Sequence, residues 1–455
     1  MPVLLLYIIA FILTVGFIIG LHELGHFFAA RALGIKVLSF SIGLGKPLYR
    51  WRSKKGIEYI ISMFPIGGYV NLLDEESGKV ASGDSHMAFN RQPLYKKILV
   101  IGAGPFCNLL FAFFAYWMIF AAGVNVIQPK IGEIIPHSIA AQAGLKPKQI
   151  ILSVDGKKTL GWSRVILAVF LRTGDQGALA ITTKSTNNNE IQHHVLKLKH
   201  WKMNSLNPKP LYSLGIVPFR PAKKILIKKI LSSNVDNSGL KLGDEIVSIN
   251  KEGIRTRKQA IKIISSLPNM TVPVTLKRKG KAIIVFAKIS SKRNILLQDK
   301  GYLGINIKTV RVNKLRMEIN YSFWRASKRA YHEVVDLTVL NFVLIGKLIV
   351  GDISIRSLVG PITIFTAACG VLQSGIVPFL SFLALISLSI GFVNILPIPG
   401  LDGGQACFFF IEAIFRNSIS KRVKILLYRL GFILICFILF QTVLNDLMRM
   451  AEKFF

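Results

Sequence analysis

Residues 3–30 read VLLLYIIAFILTVGFIIGLHELGHFFAA, and the last third of this apolar run carries His22, Glu23 and His26. A helical run of this length can cross the hydrocarbon core of a bilayer. Positions i and i+4 lie on one face of a helix, so both imidazoles can reach one metal ion, with the glutamate beside them to activate a bound water. Each ionisable side chain inside an apolar helix costs on the order of 2–3 kcal/mol unless it is paired or coordinating. The location therefore favours a metal site over two histidines that only fill the helix core.

The composition indicates a membrane protein. Of the 455 residues, 51% are hydrophobic, and the mean hydropathy is +0.48. The formal net charge of +35 could suggest a nucleic-acid partner, but no run of Lys and Arg is interleaved with stacking aromatic residues. The basic residues flank apolar segments instead, which favours contact with an anionic lipid surface and no nucleic acid.

Four segments are predicted to span the membrane, which makes the chain a multi-pass α-helical membrane protein with about four transmembrane helices. They cover residues 3–30, 98–124, 376–400 and 425–445. A weaker apolar stretch, 357–372, is short and contains Gly360-Pro361. We expect this stretch to lie at the membrane interface or to pack against the other helices.

The basic residues near the span ends predict the orientation. They cluster in the loops after the first and third spans, at Arg31, Lys36, Lys46, Arg50, Arg52, Lys54, Lys55, Lys96 and Lys97, and at Arg416, Lys421, Arg422 and Lys424. Both loops should be cytoplasmic, which places both termini and the long middle region outside. His22 then lies about 30 Å along the helix from its outer end, near the cytoplasmic side.

The middle region contains a tandem repeat. The first copy spans Ile131–Thr159 and the second spans Ile230–Gly253, and each has a strand, a Gly-Leu pair, another strand and a turn. Both copies resemble PDZ domains of bacterial proteases, which implies two inserted PDZ-like α+β domains. We therefore divide the chain into a first membrane part, the two PDZ-like domains, an interfacial connector and a second membrane part, at 1–124, 125–220, 221–310, 311–375 and 376–455.

The two copies differ in one loop. The second keeps Gly-Leu-x-x-Gly-Asp at 239–244, whereas the first has Lys148-Gln149 in place of Gly243-Asp244. This difference leaves open whether the first copy binds peptides. The alternative for both copies is a spacer that binds no peptide, since a fold alone does not establish a function.

A catalytic zinc ion needs a third protein ligand and an open position for water. Asp402 is the best candidate, since it follows Asn394-Ile395-Leu396-Pro397-Ile398-Pro399 at the inner end of the third predicted span. Prolines break a helix, and broken backbone at membrane depth is tolerated where it lines a site or cavity. The alternative, a helix-ending turn with the aspartate as a cap, does not explain why Asp402 and His22 are predicted at the same depth.

Together, H-E-x-x-H in the first span and N-x-x-P-x-P-x-L-D-G in a later one resemble the site-2 protease family of intramembrane zinc metalloproteases. Three further motifs agree: Phe64–Val70, Gly104-Pro105-x-x-Asn108 and Gly360-Pro361-Ile362. With the two PDZ-like repeats, the resemblance covers the whole chain and points to the two-PDZ type of Gram-negative bacteria.

The resemblance implies the roles of several residues. His22, His26 and Asp402 would bind one Zn²⁺ per chain, and Glu23 would be the general base. Contacts to the substrate or its oxyanion would come from Asn394, Pro397, Pro399, Gly67 and Gly68. The first loop, residues 38–70, would be a membrane-associated β-hairpin whose free edge could bind an unwound substrate; the alternative is a purely structural loop.

The resemblance also implies regulated intramembrane proteolysis in the bacterial inner membrane. The partners would be membrane lipid, an upstream site-1 protease, and single-span substrates such as an anti-sigma factor or signal-peptide remnants. The PDZ-like tandem would exclude substrates that have not been trimmed. Two rival hypotheses are an inactive membrane chaperone, which the intact Glu23 argues against, and a metal transporter, which would need polar residues along the other spans.

Overall fold

A computed structural model describes residues 11–75, 81, 83–199, 201, 209–219, 223–231, 238–254, 256–293, 299–311, 316–417 and 419–454. Residues 3–10 of the first predicted span lie outside the described residues. The chain divides into two compact units. Unit 1 comprises residues 1–126, 134–217 and 318–455, and unit 2 comprises residues 127–133 and 218–317.

Five helices among the described residues are long and apolar enough to cross a membrane. They span Ile12–Ala32, Leu94–Ala121, Ile355–Gln373, Ile376–Ile395 and Lys421–Glu452. Four of them coincide with the predicted spans, and the third contains the stretch expected at the interface. How many of the five cross the bilayer stays a prediction.

The helices of the described residues are numbered here in chain order. They are α1 Phe17–Ala32, which continues a π-helical turn Ile12–Gly16, α2 Leu94–Ala121, α3 Ile139–Gln142, α4 Trp162–Leu171, α5 Pro210–Ser213, α6 Arg257–Ser265, α7 Phe323–Val350, α8 Pro361–Gln373, α9 Ile376–Ile395, α10 Asp402–Phe415 and α11 Lys421–Phe454. Helix α9 ends five residues before the predicted end of its span at 400, because Pro397 and Pro399 follow it.

Glycines let the helices around the site approach closely. A Cβ atom on Gly25 of α1 would lie 2.8 Å from the carbonyl carbon of Ala103 in α2. A Cβ atom on Gly391 of α9 would lie 3.0 Å from Cβ of Asn108 in α2. Helix α2 is therefore packed between α1 and α9, with backbone near backbone on both sides.

The first loop forms a sheet from two bent strands, β1 Val37–Arg52 and β2 Glu58–Leu72. Residues 39–42 pair with residues 68–71 on one side and with 58–61 on the other, while 47–52 pair with 58–62. The strands are longer than predicted and change register repeatedly. Among the described residues, segment 68–71 has no strand partner on its second side. The membrane association of this hairpin stays a prediction.

Both repeats contain strands and one main helix. The strands around and within the first repeat are β3 Val124–Ile127, β4 Ile131–Ile134, β5 Ile150–Val154, β6 Lys157–Lys158, β7 Ala178–Lys184, β8 Ile191–Lys197 and β9 Ile216–Pro218. The strands of unit 2, together with β18 at its C-terminal end, are β10 Lys223–Ile230, β11 Glu245–Ile249, β12 Glu252–Gly253, β13 Thr271–Arg278, β14 Lys281–Lys288, β15 Ser290–Arg293, β16 Asp299–Tyr302, β17 Ile305–Arg311 and β18 Arg316–Ile319. In unit 2 the main sheet has the order β14-β13-β11-β10-β17, and β12 pairs with β11.

The loop that distinguishes the two copies keeps one hydrogen bond in both. In the second repeat, the buried Asp244 carboxylate accepts a bond from the backbone N–H of Lys241 at 2.9 Å. In the first repeat, Oε1 of the buried Gln149 accepts the equivalent bond from Lys146 at 2.8 Å. Only Asp244 also forms an ion pair, with Arg278 at 2.7 Å. The departure from Gly-Asp therefore changes the charge of the loop and keeps its hydrogen bond.

This difference predicts acid sensitivity in unit 2. Hydrogen bonds from Arg278 hold the pKa of Asp244 below its usual range. A lowered carboxyl pKa stabilises the fold at neutral pH, and that stabilisation is lost as the pH falls from the unfolded value, about 4, through the folded one. The urea concentration at which half of unit 2 is unfolded should therefore decrease when the pH is lowered below about 4. Hydrogen exchange of residues 245–249 measures this midpoint.

Replacing Arg278 by Gln should lower that midpoint at pH 7 by roughly 1 M urea, because a buried carboxylate loses its partner. The further loss in acid should then be smaller than in the unchanged protein. Residues 150–154 of the first repeat provide the internal control, since Gln149 does not titrate. An equal acid dependence of both repeats would contradict the assignment.

Candidate metal centre

Three side chains from two helices meet in unit 1. His22 and His26 lie one turn apart on α1, and Asp402 opens α10. Oδ2 of Asp402 lies 3.0 Å from Nε2 of His22 and 3.5 Å from Nε2 of His26. The candidate ligand atoms of the three residues all lie within 4.8 Å of one another. Such a group could hold one metal ion.

The broken end of α9 brings Asp402 to the histidines. After Ile395 the chain passes through two prolines and then through Gly400, whose φ of +100° suits only glycine. Helix α10 then starts against this loop, and a Cβ atom on Gly404 would lie 2.6 Å from the carbonyl carbon of Ile398. A larger residue at Gly404 would therefore push the start of α10, and Asp402 with it, away from the loop.

Helix α2 forms the wall behind the two imidazoles. A Cβ atom on Gly104 would lie 2.6 Å from Cε1 of His26 and 2.9 Å from Cε1 of His22, so only glycine fits there. The backbone oxygen of Val100 lies 2.8 Å from Nδ1 of His26. The amide of Asn108 lies 3.3 Å from Nδ1 of His22. Both Nδ1 atoms are thus held by α2, and both Nε2 atoms face Asp402.

Two buried oxygen atoms of the site have no hydrogen-bond partner, and a metal ion bound by Asp402 and His22 would account for both. Oδ2 of Asp402 is buried without a hydrogen bond, although both imidazoles lie beside it. Oδ1 of Asn108 is also buried without a partner. If Nε2 of His22 binds a metal, its Nδ1 carries a proton, and turning the Asn108 amide by 180° makes Oδ1 the acceptor. Two imidazoles and a carboxylate are a donor set of catalytic zinc sites, so the residues fit this ion.

Glu23 lies beside these groups, at the edge of a cavity of about 470 Å³. A Cβ atom on Gly68 of β2 would lie 2.7 Å from Cγ of Glu23, so this glycine lets the strand pass close to the carboxylate side chain. The cavity is lined by His22, Glu23, His26, Gly67, Gly68, Tyr69, Val70, Asn394, Asp402 and Gln405, among others. It therefore contacts both the three candidate ligands and residues 67–70 of β2.

The structure brings most of the predicted site residues together. Asn394 lines the cavity, and its Nδ2 lies 3.4 Å from Nε2 of His22. Pro397 and Pro399 do not belong to the described lining. Pro399 instead faces α11, where a Cβ atom on Gly431 would lie 2.7 Å from its carbonyl carbon. These prolines therefore shape the turn that precedes Asp402.

The motif Gly104-Pro105-x-x-Asn108 supports the family resemblance, but it assigns no role to Asn108. The contact depends on how α2 is rotated against α1, and no local pattern reports that rotation. The spacing Gly104-x-x-x-Asn108 puts both residues on the face of α2 that meets the imidazoles, which is the signal that could have identified them.

Replacing Asn108 by Leu should weaken zinc binding by about 10- to 100-fold, because Nδ1 of His22 would lose its acceptor. Asn108→Asp should largely restore the affinity, since it keeps an oxygen at this point. Competition with a chromophoric chelator on purified protein measures both. Cys107→Ala, one residue earlier on α2, is the control for packing. Unchanged zinc affinity in Asn108→Leu would show that the contact does not orient His22.

Comparison with known proteins agrees with this geometry. The family described as peptidase family M50 matches residues 10–438. The Escherichia coli K12 protein named "Regulator of sigma-E protease RseP" is 34% identical over 447 residues, which cover 97% of this chain and 98% of that protein. A Vibrio cholerae protein whose name describes it as a zinc metalloprotease is 36% identical over 452 residues, with coverage of 97% and 98%. The PDZ domain of an SdrC-like protein from Listeria monocytogenes aligns with 20% of the chain and 90% of its own length at 17% identity, with a TM-score of 0.17 that is too low to assign a fold.

Proposed function

The chain belongs to peptidase family M50, the site-2 protease family, and on this premise we propose that it cleaves single-span membrane proteins within the bilayer after another protease has trimmed their outer domains. Its membership confirms the predicted enzyme class, a zinc metalloprotease, and a bacterial inner-membrane protein fits both the relatives and the apolar helices. The observation that carries the proposal is the meeting of His22, His26 and Asp402 in one cavity beside Glu23.

In this proposal His22, His26 and Asp402 hold one zinc ion. When bound, zinc supplies a Lewis acid that activates a water molecule and polarises the scissile carbonyl. Glu23 accepts the proton of the attacking water and passes it to the leaving nitrogen. Val100 and Asn108 hold the imidazole rings, so that both Nε2 atoms stay beside Asp402, where they would be available to the ion.

The same cavity suggests how a substrate is presented. A transmembrane helix hides its carbonyl groups in its own hydrogen bonds, so a substrate must unwind before it can be cut. Residues 67–70 line the cavity, and among the described residues segment 68–71 has one side free of strand partners, so an unwound substrate could add to it as a strand. The amide of Asn394, next to His22, could then donate to the oxyanion.

We further propose that the repeats act as a size filter for trimmed substrates. In unit 1 the first repeat is fixed to α7: Arg164 of α4 forms ion pairs with Glu333 and with Asp336. Lys347 of α7 binds Asp175 at 2.6 Å and the backbone oxygen of Thr173. Ala326, Ala330 and Leu337 of α7 pack in one apolar cluster with residues of α2 and α9. A repeat fastened in this way would stay in place and block a bulky outer domain without binding any peptide.

In the competing account, a repeat binds the new C-terminus of a trimmed substrate. Deletion of residues 127–310 should allow untrimmed substrates to be cut if the repeats are a size filter. It should slow the cutting of trimmed substrates if a repeat binds their C-terminus.

The proposed orientation places both termini and the repeats in the periplasm, with the site near the cytoplasmic side. The relatives named for regulation of sigma-E suggest an anti-sigma factor as one substrate.

Glu23→Gln should abolish cleavage, by at least roughly 1,000-fold, and leave zinc bound, because the side chain is the base and not a ligand. His22→Ala, His26→Ala and Asp402→Ala should lose both activity and metal. A single-span substrate incubated with purified protein gives the rate, and elemental analysis gives the zinc content. Full activity of Glu23→Gln would refute the mechanism.

Arg164→Leu should loosen the first repeat, because it leaves Glu333 and Asp336 without their shared partner. The cleavage rate of untrimmed relative to trimmed substrate should rise about three- to tenfold. Lys158→Leu is the matched control, since Lys158 lies exposed on β6 of the same repeat and has no described contact with α7. An unchanged ratio in a folded Arg164→Leu protein would exclude the size filter, and slower cutting of the trimmed substrate would favour groove binding.

A further inference from the structure

An apolar patch is exposed on the main sheet of unit 2. Strand β14 forms one edge of this sheet, and its outward side carries Ile284 and Phe286, which are 63% and 66% exposed. Their neighbours across the ladder are Thr275 and Pro273 of β13, so the two large side chains stand together on one face. The opposite side of β14 faces the core through Ala287. An adjacent Ile-Phe pair on a polar domain is a candidate contact surface.

Lysines surround this patch. Lys281 and Lys288 lie at the two ends of β14, and Lys277 lies across from Ala282, all of them exposed. Glu245 of β11 lies across from Lys277, and its carboxylate is paired with Lys224 at 2.7 Å. The excess of positive charge extends through the domain, because residues 218–317 contain 23 Lys and Arg against 5 Asp and Glu. This segment therefore carries about half of the formal net charge of the whole chain, +35.

We propose that this face, the outward side of β13 and β14 with Ile284 and Phe286 at its centre, binds the surface of an anionic phospholipid bilayer. Phe and Ile can enter the headgroup region while the surrounding lysines contact phosphate groups. Residues 127–133 of unit 2 follow α2, a candidate membrane span, so the chain connects this domain directly to a helix long and apolar enough to cross a bilayer.

The charges favour lipid over a second copy of the chain. Two copies that met at this face would each bring the same lysines, and charged residues at both ends of an edge strand oppose pairing between strands. The first repeat gives a comparison within the same molecule. Val195 of β8 is 58% exposed on its edge strand, but residues 134–217 contain only 11 Lys and Arg against 3 Asp and Glu. We therefore expect lipid binding at Phe286 and not at Val195.

Photocrosslinking of the full chain in nanodiscs tests this directly. Phe286→p-benzoylphenylalanine should give lipid adducts, identified by mass spectrometry, with about tenfold higher yield in phosphatidylglycerol than in phosphatidylcholine discs. Val195→p-benzoylphenylalanine is the matched control and should give few adducts in either lipid. Changing Lys277, Lys281 and Lys288 to Gln in the Phe286 variant should remove most of the preference for anionic lipid.

Three outcomes would overturn the proposal. A crosslinked dimer as the main product would identify a second copy as the partner. A crosslink to another part of the same chain would show that the face is covered by the protein itself. Equal adduct yields at positions 286 and 195, or in the two lipids, would show that proximity to the disc alone accounts for labelling.

Discussion

Two imidazoles and a carboxylate lie within 4.8 Å of one another inside a bundle of apolar helices, and most of the catalytic architecture follows from this. Polar groups removed from water need partners, or their burial costs several kcal/mol. Val100 and Asn108 provide partners for the outer ring nitrogens, which leaves the inner nitrogens and the Asp402 oxygen for a metal ion. The side chains of the site can meet only if the helices that carry them pack closely. Gly25 of α1, Gly104 of α2 and Gly391 of α9 lie at these close contacts between helices.

The sequence predicted the parts of the site that depend on local spacing. His22 and His26 share a helix face by periodicity alone, and the break before Asp402 is visible as two prolines in an apolar segment. Asn108 could not be assigned in this way, because it meets His22 across 86 residues of chain. Pro397 and Pro399 lie outside the described cavity lining, in the turn that leads to Asp402, and their contact with a substrate stays a prediction.

The start of helix α8 shows why hydropathy alone did not predict a fifth candidate span. Its weak stretch contains Gly360-Pro361, a sequence that usually ends an apolar segment. The buried Asp446 of α11 accepts hydrogen bonds from the backbone N–H groups of Gly360 and Thr363 and from the Thr363 hydroxyl. A distant carboxylate therefore satisfies the helix start, so that the irregular backbone is tolerated within an apolar environment. No pattern near Gly360 reveals this partner.

The loop between Gly-Leu and the next strand illustrates the same limit in the repeats. Replacing Gly-Asp by Lys148-Gln149 suggested a damaged binding loop, yet Gln149 makes the backbone hydrogen bond that Asp244 makes in the second copy. The substitution therefore preserves the fold, and it carries little information about peptide binding. The two copies differ in whether their basic side chains are paired within the protein or exposed. In the first copy, Arg164 pairs with acidic residues of α7, so the position of this copy depends on intramolecular ion pairs, whereas most of the described lysines of the second copy are exposed. Since the proposed size filter requires a fixed position and no peptide-binding groove, the ion pairs of the first repeat are a more direct test of this proposal than its altered loop is.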